Sequence, residues 1–79
     1  MEDSKKFYGG DIVRYTDYRA EWGDAEVVGY DTREERLVIR FAKSNMYTHS
    51  CGGTVAGYRG YWAIPGELEL IRRRGESGD

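Results

Sequence analysis

The chain has little of the chemistry that often stabilises small proteins or makes them reactive. Its 79 residues include one cysteine, one histidine and one proline. A single cysteine excludes an intramolecular disulfide, and one cysteine with one histidine cannot supply the four protein ligands of a structural zinc site. No apolar run approaches the roughly 20 residues that a membrane-spanning helix needs. We therefore expect a soluble, cytoplasmic protein without cofactors or membrane contacts.

The chain also lacks a strong excess of either charge. Twelve basic residues against 14 acidic residues give a net charge of -2. General nucleic-acid binders usually carry a clear basic excess, so nucleic-acid binding is the alternative rather than the first expectation. A chain of 79 residues forms one domain with a small core, which leaves little room for a deep catalytic cleft. We expect a binding module and no enzyme.

Acidic residues are absent from one long segment, Ala42 to Gly60. The same segment contains Lys43 and Arg59, so it is locally cationic on an otherwise mildly acidic chain. Connections longer than about 12 to 15 residues are uncommon in compact domains and are usually functional or disordered. This segment is therefore the first place in which to look for a partner-binding role, and its charge favours an anionic partner.

Period-two alternation of apolar residues predicts short strands and no long helix. The alternation is clearest in the third strand, where Leu37, Ile39 and Phe41 share one face. Pro65 separates the last two strands, because proline cannot donate a hydrogen bond to a β-ladder. The predicted strands cover residues 10–15, 25–30, 36–41 and 61–64, followed by a fifth strand after the Pro65 break.

These strands predict an all-β fold, a small five-stranded SH3-like barrel with a long loop between strands 3 and 4. Closing a small sheet on itself removes edges that would otherwise promote aggregation. Leu68 and Leu70 of the fifth strand are expected to face the core. The barrel is expected to span residues 8–72, with a flexible N-terminus at 1–7 and a flexible C-terminal tail at 73–79.

Three motifs carry a resemblance to a known group of proteins. They are the opening strand Gly10-Asp11-Ile12-Val13, the loop His49-Ser50-Cys51-Gly52-Gly53 and the closing strand Gly60-Tyr61-Trp62. Together they resemble small SH3-like proteins of phages and prophages, a largely uncharacterised family. The resemblance implies a phage-encoded protein acting in the host cytoplasm on a host protein, for example as an inhibitor of a defence complex. Such proteins often carry a second cysteine shortly after the first, which is missing here.

Aromatic side chains are the candidate partner-binding residues. In an SH3-like barrel the first loop and the segment before the last strand lie near each other, so aromatic residues from both would form a groove. Aromatic side chains of this kind are enriched at binding hot spots. The predicted partner-binding residues are Tyr15, Tyr18, Trp22, Tyr47, His49, Tyr58, Arg59 and Tyr61. In the alternative, the tyrosines stack on bases of a nucleic acid, and its phosphates are contacted by Lys43, Arg59 and the C-terminal arginines Arg72, Arg73 and Arg74.

His49 and Cys51 leave two interpretations open. They could pair as imidazole and thiol for nucleophilic chemistry, or provide two ligands to a metal completed by a second chain. Catalysis also requires a positioned base, an orienting group and an oxyanion pocket, none of which the sequence identifies. In the structural interpretation, Cys51 is a small buried apolar group and His49 hydrogen-bonds the loop backbone. We therefore predict no catalytic residue and no metal ligand.

Overall fold

The computed structural model describes residues 7–74. Its five strands form one antiparallel sheet, in which the fourth strand of the chain is followed by the third, second, first and fifth. The prediction of an all-β chain with five strands and a long loop between the third and fourth strands is confirmed. The strands are β1 Ile12–Tyr15, β2 Ala25–Asp31, β3 Arg36–Phe41, β4 Gly60–Ala63 and β5 Leu68–Arg72, and short 3₁₀ turns lie at Tyr18–Trp22, Ala56–Tyr58 and Pro65–Glu67.

The sheet is not closed, since β4 and β5 are its edge strands. The pairing of β2 with β3 shifts register between Val27 and Gly29, and the pairing of β1 with β5 shifts between Ile12 and Val13. Such bulges bend a strand and increase its twist. The strand order and the bulges are consistent with a small barrel-like fold. Within the described part of the chain, no helix has the length and apolar character to cross a membrane.

The main core lies on the inner face of the sheet. The predicted common face of Leu37, Ile39 and Phe41 is confirmed, because all three are buried in this core. The expectation for the fifth strand was right for Leu68 and wrong for Leu70, which is 39% exposed. β5 is an edge strand, so Leu70 has a neighbouring strand on one side only. The buried core residues are Val13, Tyr15, Ala25, Val27, Leu37, Ile39, Phe41, Ala63 and Leu68.

A second, smaller core orders the long loop on the outer face of the sheet. Val38 of β3 packs there with Cys51 and Val55 of the loop, and Trp62 of β4 covers them. The loop is also joined to β4 through its backbone. The N–H of His49 donates to the carbonyl of Gly60 at 2.8 Å, and the N–H of Gly60 donates back at 2.7 Å. The segment between β3 and β4 is therefore a packed part of the fold.

Asp11 connects the beginning of the domain to its end. Its buried carboxylate accepts hydrogen bonds from the N–H of Tyr8 at 2.9 Å and from the N–H of Arg74 at 3.0 Å. The guanidinium of Arg73 also donates to it, at 2.7 Å. One carboxylate thus accepts hydrogen bonds from the segment before β1 and from the segment after β5. These two strands pair with each other at one edge of the sheet.

Residues just outside the expected domain boundaries also make contacts with the domain. Phe7 packs against the main core, and Arg73 and Arg74 are both bonded to Asp11. The domain limits of 8 and 72, with flexible ends beyond them, stay a prediction, although Phe7, Arg73 and Arg74 all contact the domain. The remaining parts of the two predicted flexible ends, residues 1–6 and 75–79, lie outside the described residues.

Candidate functional site

Trp22 connects the main core to the surface of the domain. Its ring packs edge to face against Tyr15, Phe41 and Tyr61, with ring centroids 6.0, 5.7 and 5.3 Å away. A fourth ring, that of Tyr47 in the long loop, stacks on Trp22 at 5.6 Å with 16° between the ring planes. Aromatic pairs contribute about 0.5 to 1.5 kcal/mol each beyond the burial of their area. Trp22 is therefore held in a single position from several directions.

The 3₁₀ turn that carries Trp22 is fixed by Arg19. The guanidinium of Arg19 forms ion pairs with Asp17 at 2.6 Å and with Glu67 at 2.9 Å. It also lies 3.9 Å from the centroid of the Tyr15 ring, where a cation–π interaction adds to the attraction. The hydrogen bond from Arg19 holds the pKa of Asp17 below its ordinary value. Arg19 thus joins the first loop to the turn before β5.

A tight turn presents Met46 and Tyr47 to solvent. The side-chain oxygen of Asn45 accepts hydrogen bonds from the N–H of Tyr47 at 2.7 Å and of Thr48 at 3.0 Å. The hydroxyl of Thr48 accepts from the N–H of Asn45 at 2.8 Å, which closes the turn. Asparagine and threonine commonly stabilise turns in this way. At the tip, Met46 is 84% exposed and Tyr47 is 58% exposed.

The turn and Trp22 together border a depression of about 410 Å³. Its lining includes Glu21 beside Trp22, and Lys43, Met46 and Tyr47 from the long loop. We name these five residues the aromatic surface. Within residues 7–74, neither Glu21 nor Lys43 belongs to an ion pair. The aromatic surface therefore combines an apolar centre with one free charge of each sign.

Part of the predicted partner-binding set meets at this surface. Trp22 and Tyr47 belong to it, and Tyr61 supports Trp22 from below. Tyr15, also predicted to bind a partner, is only 1% exposed and lies in the main core beneath this surface. Its position two residues after Val13 places it on the inner face of β1. His49 lies behind the surface, with its ring centroid 5.9 Å from that of Tyr61.

The remaining predicted residues, Tyr18, Tyr58 and Arg59, do not belong to the aromatic surface. Tyr18 and Tyr58 are exposed, and within residues 7–74 neither ring packs against another aromatic ring. Arg59 lines a different depression, of about 470 Å³, together with Glu26 and Arg40. The guanidinium of Arg59 donates to the carbonyl of Phe41 at 3.4 Å. The predicted partner-binding residues thus lie in separate parts of the domain.

Three members of the aromatic surface, Glu21, Lys43 and Met46, were not among the predicted partner-binding residues, and Lys43 was named as a contact only for the nucleic-acid alternative. Met46 could have been found, because Asn45 and Thr48 flank it at the spacing of a side-chain-stabilised turn with an exposed tip. Glu21 could not, because its place depends on how the 3₁₀ turn packs beside the long loop.

His49 and Cys51 both make contacts within the fold. The Nδ1 atom of His49 accepts a hydrogen bond from the N–H of Cys51 at 3.0 Å. Cys51 is 2% exposed and packs in the second core. Among the residues that the structure describes, no three His, Cys, Asp or Glu side chains are grouped to hold a metal ion. The interpretation of Cys51 as a buried apolar group and His49 as a backbone hydrogen-bond partner is confirmed.

The Cys51 thiol is expected to react slowly with alkylating reagents. Burial and, to a smaller extent, the charge of Asp31 raise the pKa of the thiol to about 11. Since the thiolate is the reactive form, its fraction at neutral pH falls about a hundredfold relative to an ordinary cysteine. Iodoacetamide labelling of the folded chain, followed by mass spectrometry, should remain slow until the pH rises well above 9. The same chain unfolded in urea is the control, and equal labelling rates at pH 8 would contradict this assignment.

No known protein family, curated protein or solved structure matches the chain.

Proposed function

We propose that the protein is a non-catalytic module that binds another protein through the aromatic surface. The observation that carries the proposal is the exposed pair Met46 and Tyr47 beside an open depression, with the ring of Tyr47 stacked onto Trp22. Tryptophan, tyrosine and methionine are enriched at protein–protein interfaces, and tryptophan and tyrosine dominate binding hot spots.

The surface is ordered before any partner arrives, which supports the proposal. Hydrogen bonds of Asn45 and Thr48 fix the turn, and Trp22 is held by three rings beneath it. Binding then costs less conformational entropy, about 0.5 to 1.5 kcal/mol less for each side chain that is already immobilised. A preformed apolar surface of this kind is suited to recognition.

Nucleic-acid binding is the second candidate, because the exposed Tyr47 ring could stack on a base and Lys43 could contact a phosphate. The charges favour protein binding instead. Four arginines are each engaged by a carboxylate, in the pairs Arg14 with Asp24, Arg19 with Asp17 and Glu67, Arg40 with Glu26, and Arg73 with Asp11. Glu21, in the wall of the depression, would repel a phosphate backbone.

The resemblance to phage proteins adds a narrower proposal about the partner. On that basis the partner is a bacterial host protein, and binding inhibits a regulatory or defence complex. This part of the proposal is supported by the three sequence motifs and not by the geometry of the surface.

Replacement of the exposed side chains of Met46 and Tyr47 by alanine tests the proposal. The double variant Met46→Ala/Tyr47→Ala should recover at least about tenfold less partner from a nuclease-treated bacterial lysate than the parent chain does, since loss of one hot spot costs about 2 kcal/mol or more. The matched control is Tyr30→Ala, which removes an exposed tyrosine from β2. Quantitative mass spectrometry of the recovered proteins provides the measurement. Equal recovery by both variants, or loss of all binding after nuclease treatment, would contradict protein binding at this surface.

A further inference from the structure

We infer that the aromatic surface takes an extended polypeptide segment in which an apolar side chain lies between a carboxylate and a basic group. The inference rests on the proposed function and names the chemistry of the partner. The apolar side chain would contact Trp22, Met46 and Tyr47, the carboxylate would face Lys43, and the basic group would face Glu21.

The free charges of Glu21 and Lys43 are the first observation behind this inference. Both side chains are exposed and line the same depression, and neither is ion-paired within residues 7–74. Arg14, in contrast, forms an ion pair with Asp24 at 2.7 Å. The aromatic surface thus keeps one acid and one base available for groups of a partner.

The size of the depression is the second observation. A volume of about 410 Å³ is near the lower end of the range of about 300 to 1,000 Å³ for sites that bury small ligands. The depression therefore suits a short segment better than a broad folded surface. Its centre is apolar, through the stacked rings of Trp22 and Tyr47 and the exposed Met46.

Because Glu21 and Lys43 have opposite charges, a uniformly charged ligand fits the aromatic surface less well than a ligand with both charges. A polyanion would gain attraction at Lys43 and repulsion at Glu21, and a polycation would do the reverse. Complementary charges at the rim of an interface contribute specificity and orientation more than affinity. A mixed-charge segment matches both side chains in one orientation, so the direction of the bound chain is also specified.

A random heptapeptide display library, panned against the immobilised full-length chain, tests this inference. The parent chain should enrich sequences with a Leu, Ile, Met or Phe between an acidic and a basic residue. Lys43→Glu should remove the preference for the acidic residue, and Glu21→Lys should remove the preference for the basic residue. For individual peptides each single reversal should weaken binding by up to about fivefold, as expected for an exposed charge pair.

The charge-exchanged double variant Glu21→Lys/Lys43→Glu provides the sharpest comparison. It keeps the apolar centre and both charges, so it should enrich the motif with its acidic and basic positions reversed. An unchanged motif in all charge variants, with enrichment still lost in Tyr47→Ala, would overturn the inference while leaving the proposed function intact. Enrichment that persists in Tyr47→Ala, or no enrichment by the parent chain, would overturn peptide binding at the surface itself.

Discussion

Asp11→Ala is expected to lower the free energy of unfolding by about 2 to 4 kcal/mol at neutral pH. The substitution removes the acceptor for the N–H groups of Tyr8 and Arg74 and the partner of the Arg73 guanidinium. Because Asp11 is buried, water replaces these bonds only if the two ends of the domain separate. Urea unfolding followed by tryptophan fluorescence measures the loss.

The matched control for Asp11 is Asp24→Ala. Asp24 also forms an ion pair, with Arg14 at 2.7 Å, but the side chains of both residues are exposed. Exposed pairs contribute less than about 1 kcal/mol. A loss in Asp11→Ala no larger than that in Asp24→Ala would contradict the role of Asp11 as the connection between the two ends of the domain.

The contribution of Asp11 should also depend on pH. Burial opposes ionisation of the carboxyl, but hydrogen bonds from the N–H groups of Arg74 and Tyr8 and from Arg73 together outweigh it, so the pKa of Asp11 lies below its ordinary value of 3.8. As the pH falls, Asp11 binds a proton at a higher pH in the unfolded chain than in the folded chain. The stabilisation by Asp11 is therefore complete above the ordinary pKa and is lost as the pH falls through the pKa of Asp11 in the folded chain. The difference between parent and Asp11→Ala should therefore shrink at strongly acidic pH, and a constant difference would contradict this reasoning.

Gly60→Ala is expected to destabilise the chain by about 2 to 3 kcal/mol, as overpacking of a buried site does. An added Cβ would lie 2.9 Å from the carbonyl oxygen of His49 and 2.9 Å from the Cβ of Val55. Neither atom is the end of a flexible side chain, so the backbone pairing of His49 with β4 and the packing of Val55 must shift. The long loop would then separate from the outer face of the sheet.

Gly66→Ala is the control for Gly60→Ala. A Cβ at Gly66 meets no atom within 4 Å, so stability should not fall measurably. Hydrogen exchange adds a local readout, because the amides of His49 and Gly60 are bonded to each other's carbonyls. Both amides should lose protection in Gly60→Ala and keep it in Gly66→Ala. Equal protection in the two variants would contradict the proposed packing of the loop.

The second core also links stability to recognition. Tyr47 lies two residues before His49, so the position of the aromatic surface depends on the loop that Gly60 allows to pack. Gly60→Ala should therefore weaken partner binding although Gly60 lies outside the surface. This indirect effect separates the supporting residues of the loop from the residues that contact the partner.

The strands were predictable because alternation of apolar residues reports directly which side chains share a face. Leu37, Ile39 and Phe41 illustrate this, since each of them is buried in the main core. Period-two alternation also places Tyr15 on the inner face with Val13, so its burial was readable from the sequence. The exposure of Leu70 was not, because the same alternation does not show which strand forms an edge of the sheet.

The candidate site was predictable only in its residue types. Trp22 and Tyr47 were identified as aromatic loop residues, but their stacking requires the first loop and the long loop to meet in space. The sequence could not show that Tyr58 and Arg59 lie apart from this surface, because this also depends on how the loops are arranged in space. The sequence placed Asp11 in the opening-strand motif but did not indicate its buried hydrogen bonds, because its donors Arg73 and Arg74 lie more than 60 residues along the chain.

Photo-crosslinking from position 47 tests protein binding at the aromatic surface most directly. A benzophenone amino acid replaces Tyr47 in one sample and the equally accessible Tyr30 in another, and both are irradiated in bacterial lysate. Protein binding at this surface predicts a discrete protein adduct from position 47, resistant to nuclease and absent from position 30. The same adducts from both positions, or an adduct to nucleic acid alone, would contradict it.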